Sequence, residues 1–435
     1  MKNLFLLFSV FLFLSCSDTP QAFVKDQTHE KAIDELIAKM TLEEKIGQTN
    51  LRGTSSRTKN LPEELKDAVR KGNVGAFLNV MNLDYIDELQ RIAVEESPNG
   101  IPLIFGRDVI HGFKTIFPIP IGLAATWDAQ IAKSSSEIAA FEASASGIRW
   151  TFAPMLDISR DSRWGRIAES PGEDPYLASV LGKAYIEGFQ GDDLSNPTSL
   201  AASAKHFIGY GAAIGGRDYN TAVISEPLLR NVYLPPFEAA IDAGAATIMT
   251  SFNEINGIPV TGNKYLLKNV LRDELQFDGF AVSDWNSTIE MINHGFARDE
   301  KHVAELSANA GLDMEMTSGA YENHLKELIN EGKITEVQLD DFVRNILRIK
   351  FRLGLFKNPY RNKEHTGNLY AEEHLKEAKK AAVSSSVLLK NKSVLPLKKN
   401  TKVALIGPLT DAPHEQLGTW SFDGEKEHTI TNLIK

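Results

Sequence analysis

Cysteine is almost missing from this chain: Cys16 is the single one in 435 residues. One thiol excludes an internal disulfide, so stability has to come from a core. The ten histidines show no H-x-x-x-H spacing, and nothing in the sequence marks a structural or catalytic metal or another cofactor. Runs of one charge are missing too. The net charge of −10 is spread over the whole length, which argues against nucleic acid or an anionic membrane surface as a partner and suits a neutral one. The apolar run LFLLFSVFLFL (4–14) is too short to cross a bilayer as a stable helix.

That run follows Lys2 and leads into Ser15 and Cys16, the charged start, apolar middle and small residue of a secretory signal. The stretch FLSCSD resembles a bacterial lipoprotein signal. By that resemblance residues 1–15 are removed and Cys16 is lipidated, giving an exported protein, periplasmic or anchored to the outer membrane, whose only membrane contact is its lipid. Phe13 stands where such signals usually carry an aliphatic residue, so cleavage and release is the second reading.

With 43% hydrophobic and 24% charged residues, the chain can bury a large core and is long enough for more than one domain. From Thr28 to Phe356, apolar runs entered after Gly or Pro alternate with amphipathic helical stretches, the pattern of βα units. One helix start is explicit: TLEEKIG places Thr41 and Glu44 as a capping box. The strand-like runs are 75–80, 101–108, 148–159, 199–209, 246–257, 279–285 and 311–318, with 48–53 as an eighth. Several are apolar at consecutive positions, as strands covered on both faces must be. The fold class is therefore α/β, a (β/α)8 TIM-like barrel over 28–356, with a doubly wound open sheet as the alternative.

The polar residues at the ends of these runs point to chemistry. Asp108, Asp157 and Asp284 end theirs, Lys205 and His206 lie near the end of another, and Asn253 and Glu254 follow a fifth. In a parallel barrel those ends share one face, where side chains from different strands converge. Each residue alone has a plainer reading. Asp157, Asp161 and Asp218 can be turn or cap residues, Lys205 can snorkel beside a satisfied His206, and Arg163 and Arg166 can pair with Asp161 and Glu169. The accumulation of charge, with the aromatics Trp127, Trp150, Trp164, Phe252 and Trp285 nearby, describes a carbohydrate site. Sugar hydroxyls need charged partners, and the apolar ring faces need flat surfaces.

Six stretches in order, GRDVIHG (106–112), FPIPIGLAATWD (117–128), FAPMLDISRDSRWGRIAESPGEDP (152–175), SAKHFIGYG (203–211), MTSFNEINGIPV (249–260) and GFAVSDW (279–285), resemble the N-terminal barrel of glycoside hydrolase family 3, in particular its periplasmic β-glucosidases. The resemblance implies that Asp284 is the nucleophile, and that Asp108, Arg166, Lys205 and His206 hold the hydroxyls of the terminal sugar. Phe252 stands where some members have tyrosine, and Trp285 walls the pocket. One branch of the family takes its acid/base from a histidine loop. Here KHFIGYGAAIGGRDYN (205–220) has Tyr210 and Asn220 at the required places, so that branch does not fit. The β-glucosidase branch draws a glutamate from a second domain; Glu169 and Glu254 are the lesser candidates inside the barrel.

After the barrel, residues 357–382 read as a linker and helix, and 383–435 as the opening strands of a C-terminal α/β sandwich that stops before any acid-bearing segment. The resemblance implies an exo-acting retaining β-glycosidase, a β-glucosidase removing terminal non-reducing β-D-glucosyl residues from an oligosaccharide or other β-glucoside. A β-xylosidase or exo-β-glucanase of the same family is the alternative, and so is a non-catalytic glycan-binding fragment.

Overall fold

Eight parallel strands carry the architecture in a computed structural model that describes residues 28–54, 60–363 and 368–428. The 1–15 signal and Cys16 lie outside the described residues. The strands are β1 (Asn50–Gly53), β2 (Ala76–Leu78), β3 (Ile104–Arg107), β4 (Trp150–Thr151), β5 (Ala201–Phe207) and β6 (Thr247–Thr250). A short antiparallel hairpin, β7 (Glu254–Ile255) and β8 (Ile258–Pro259), follows, then β9 (Phe280–Val282) and β10 (Glu315–Met316). The order is β10-β1-β2-β3-β4-β5-β6-β9. A parallel bridge from Val282 to Met314 joins the two ends, reinforced by the Ser283 N–H donating to the Met314 carbonyl at 3.0 Å. The sheet is thus a closed barrel, and the open-sheet alternative is set aside.

Side-chain alternation explains both the core and the mouth. Phe280 and Val282 of β9 belong to the apolar cluster inside the barrel, while Ala281 packs with the helical layer outside. The same parity holds for Ile104 against Phe105 and for Ala201 against Ala202. Trp150 fills the centre, edge-on to Phe152 at 4.8 Å and Phe280 at 5.1 Å, and its indole N–H donates to Thr247 Oγ1 at 2.9 Å. Buried indoles need such a partner. Continuing each inward face by steps of two reaches Asp284 from Val282, Asp108 from Ile104 and Lys205 from Ala201.

The outer helices show the local signals that the sequence carries. Thr41 Oγ1 accepts from the Glu44 N–H at 3.2 Å and Glu44 Oε2 accepts from the Thr41 N–H at 2.9 Å, the reciprocal box that satisfies two orphan donors. A second box, Thr335 with Gln338, starts the Glu336–Arg352 helix. None of the described helices is long and apolar enough to cross a membrane.

The C-terminal stretch departs from expectation. The Glu372–Ser384 helix forms as read, but residues 385–428 hold no strand among the described residues. Val403, Leu405 and Ile406 of KVALIGP are exposed. A strand is stabilised by hydrogen bonds to a neighbouring strand and by a covered face, and this run has neither. Residues 417–424 instead fold back onto the mouth of the barrel. Leu417 and Asp423 are buried there, and Asp423 Oδ2 lies 2.9 Å from Arg107 Nε.

Candidate active site

A cavity of about 610 Å³ opens at the C-terminal end of the strands, and Asp108, Arg166, Lys205, Phe252, Asp284 and Trp285 all line it. Three of these sit where strand parity delivers them. Lys205 Nζ donates to Asp108 Oδ1 at 2.9 Å. Arg166 lies on a single helical turn, Gly165–Glu169, and makes a two-pronged pair with Glu169 at 2.7 and 2.9 Å. Its guanidinium also lies over the Tyr210 ring, 5.3 Å from the centroid.

His206 occupies a different place from the sugar-facing one expected of it. The ring is wholly buried and does not line the cavity. Its Nδ1 is 2.7 Å from Asp157 Oδ2, and its Nε2 is 3.2 Å from Asp284 Oδ2 and 3.0 Å from Arg166 Nη2. Asp157, which on its own reads as a turn residue, also accepts the His206 backbone N–H at 3.0 Å. An Asp157–His206–Asp284 chain results. Asp157 fixes the orientation of the ring through Nδ1, which turns Nε2 toward both Asp284 and Arg166.

Asp284 is the electrostatic centre. Burial alone pushes its carboxyl up, but the hydrogen bond and charge of His206, then Lys205 and Arg166, outweigh that and hold it below the usual range. Its Oδ1 accepts the Trp285 N–H at 2.6 Å. A desolvated carboxylate that stays ionised at the foot of a cavity has the form of a nucleophile.

The two barrel carboxyls considered as proton donors do not fit that task. Glu169 is buried, and despite the burial its pair with Arg166 keeps it below its ordinary value, so it has no proton to give. Glu254 accepts from Thr221 Oγ1 at 2.5 Å and is not part of the cavity wall. One other plain reading holds: Arg163 pairs with Asp161 at 2.6 Å at the surface, whereas Asp218 accepts the Trp164 indole N–H at 2.8 Å and lines the cavity.

The aromatic expectation needs a correction. Trp150 is in the barrel core, Trp164 is fully buried and Trp127 is 78% exposed away from the cavity. Phe252 and Trp285 remain, Trp285 being half exposed at the rim. The missing surface comes from the tail. Thr419, Trp420 and Phe422 line the cavity, with the Trp420 ring 5.8 Å from the Arg166 guanidinium and 5.7 Å from Lys205 Nζ. Phe422 covers Arg107 at 4.9 Å, and the Thr419 carbonyl meets His111 Nε2 at 2.5 Å. Glu290 and Tyr219 were also missed. The tail's part was missed too; the segment GTWSFDG (418–424), with two aromatics and an acid between glycines in a polar tail, is the signal that could have found it.

A closed (β/α)8 barrel with an ionised carboxylate, two cations and aromatic walls at its mouth is the arrangement of a sugar-handling protein. The chain belongs to glycosyl hydrolase family 3: the profile of the family's N-terminal domain matches residues 41–349. It is 39% identical over 417 residues to a periplasmic beta-glucosidase of Salmonella typhimurium, covering 94% of this chain and 54% of that protein. A beta-xylosidase of Formosa agariphila is 34% identical over 402 residues, 86% of this chain and 55% of its own length. Among solved structures, the beta-glucosidase of Listeria innocua in complex with isofagomine superposes with a TM-score of 0.87 at 44% identity, covering 92% of this chain and 57% of that one. The chain spans about half the length of the relatives it matches.

Proposed function

We propose that this chain carries the glycone-binding and nucleophile-bearing part of an exo-acting retaining β-glycosidase, with terminal β-D-glucosyl groups as substrate. One observation carries the reading: Asp284 is ionised and desolvated at the closed end of the cavity, where a terminal sugar would come to rest. In the first step Asp284 attacks the anomeric carbon as the leaving oxygen departs, giving a covalent glycosyl-enzyme; water then attacks the same carbon and frees Asp284. Asp108, Lys205 and Arg166 offer an acceptor and two cations to the sugar's hydroxyls, hydrogen bonds that strengthen as the oxocarbenium-like transition state forms. His206 steadies Asp284 from behind. The acid/base carboxyl of the pair is assigned outside the described residues. The relatives named for β-glucosides and β-xylosides both support a β-linked pyranose; the glucosyl reading is preferred on the identities.

The same reading makes the protein exported, in line with the relative named as periplasmic, and anchored through a lipid on Cys16. Labelling with a clickable fatty acid, lost in Cys16→Ala, tests the anchor; an unlabelled, freely soluble wild type refutes it. The chemistry is tested with 2,4-dinitrophenyl 2-deoxy-2-fluoro-β-D-glucoside, whose leaving group needs no protonation. Mass spectrometry should find one fluoroglucosyl group on the peptide containing Asp284. A folded protein that takes no label, or takes it elsewhere, overturns the reading, and faster labelling by the xylosyl analogue would make the protein a xylosidase.

A further inference from the structure

Glu290 is an acidic residue of the cavity that the mechanism leaves unused; unlike Asp218, which accepts from Trp164, it has an oxygen, Oε2, without a partner. It sits in the first turn of the Ser287–Asn293 helix, six residues beyond Asp284, and lines the same cavity with Asp218, Tyr219 and Trp285. Its Oε2 is buried and has no hydrogen-bond partner. Such an atom carries a desolvation penalty unless something enters to satisfy it. Burial, then the charges of Asp284 and Asp218, push the carboxyl up to about 7, so near neutrality it can donate a hydrogen bond as well as accept one.

The depth of the cavity says what that partner is. Its floor is made of Lys205, Asp284 and Arg166, all buried or nearly so, whereas Tyr219 and Trp285 stand 44% and 48% exposed at the rim. Glu290 is half-buried among the rim residues. In an exo-acting site the terminal sugar takes the floor and the rest of the chain leads out past the rim. We propose that Glu290 is a specificity-determining contact for the leaving group, hydrogen-bonding through Oε2 to a hydroxyl of the second sugar. The proposal rests on the glycosidase reading and concerns binding only, whichever group protonates the glycosidic oxygen.

Calorimetry on the unaltered chain with glucose and with S-linked thiocellobiose, which is not hydrolysed, separates the two. In the wild type the disaccharide should bind more tightly than glucose. Glu290→Leu should cost about tenfold of that gain, with glucose affinity falling less than threefold, and Glu290→Gln should restore most of the gain because its amide still donates and accepts. If Leu fails to fold, as judged by thermal unfolding, Glu290→Ala carries the same comparison. A full disaccharide gain in the Leu or Ala variant overturns the contact, and so does a wild type that binds both sugars equally. Failure of the wild type to bind glucose at all would instead overturn the glycosidase reading beneath it.

Discussion

Two buried lysines mark opposite ends of the barrel and show how differently it treats a charge. Lys205, at the C-terminal mouth, is 2.9 Å from the carboxylate of Asp108. Lys350, fully buried at the N-terminal end, donates to two neutral oxygens, Gln48 Oε1 at 2.7 Å and the Gly75 carbonyl at 2.8 Å. Without a counter-charge, burial lowers the Lys350 pKa from 10.5 to about 7. At the mouth, acids and cations interleave and sustain one another, so charge persists where solvent is scarce and a ligand can use it. At the base a lone amine loses its proton already near neutrality, and its hydrogen bonds make it a plug that ties Glu336–Arg352 to the strand starts.

The contrast breaks most completely at Asp284. Asp284→Asn keeps the shape and removes the charge, so fluoroglucoside labelling should slow by three orders of magnitude or more, with the thermal unfolding midpoint close to wild type. Labelling within tenfold of the wild-type rate would move the nucleophile to another residue.

Lys205→Met asks whether the mouth works as a charge network. Removing the cation deprives Asp108 of its partner and Asp284 of one of the charges that hold it down, and about a hundredfold loss of glycosylation rate is expected, in the range seen when supporting groups are removed. The sign of the pH effect follows. Asp284 must be ionised to attack, and its pKa rises when the cation leaves, so the acid limb of the rate profile should move to higher pH. A slower enzyme with an unmoved limb would make Lys205 a hydroxyl ligand alone.

How far the sequence foretold this site depends on distance along the chain. Asp284, Asp108 and Lys205 were legible because each continues the inward face of its own strand, a local rule of period two. The eight strands were legible as local apolar runs entered after Gly or Pro, several of them apolar at consecutive positions because both faces are covered. His206 was misplaced because its ring is set by Asp157 and Asp284, residues 49 and 78 positions away, and adjacency to Lys205 says nothing of that. Trp127 was misplaced because a tryptophan in an apolar run reads alike whether it ends in a site or at the surface. The tail was read as strand from KVALIG, where β propensity has no neighbour to pair with, while Trp420, which does reach the site, lies further on, more than 200 residues from the Arg166 and Lys205 it covers.

At the base of the barrel the expected change is in stability. Below pH 7 both folded and unfolded chains hold the Lys350 proton, and the full cost of a buried charge is present. Between about 7 and 10.5 the unfolded chain binds the proton and the folded chain does not, so this group makes stability rise with pH, by roughly a few kcal/mol across that window. Lys350→Met should remove that rise and leave sugar affinity as it was. Urea unfolding of both proteins at pH 6.5 and 9.5 reads the difference; parallel changes in the two would show that the amine stays protonated.

Trp420 gives the smallest effect and tests whether the tail belongs to the mouth. Its ring lies over both Arg166 and Lys205, and Asp423 and Phe422 pin the segment to Arg107. An aromatic face over two cations in a partly desolvated cavity contributes about 0.5–2 kcal/mol, and a sugar entering beside it would use the same apolar face. Trp420→Ala should therefore weaken glucose binding by about three- to tenfold, with a modest loss of stability because the ring is only partly buried where it packs against the core. Asp423→Asn weakens the attachment to Arg107 and leaves the indole intact, so it should reproduce a fraction of the same loss if docking is what matters. Equal glucose affinity in all three proteins would mean that the tail covers the mouth without taking part in binding, and the walls of the site would then be Phe252, Tyr219 and Trp285 of the barrel itself.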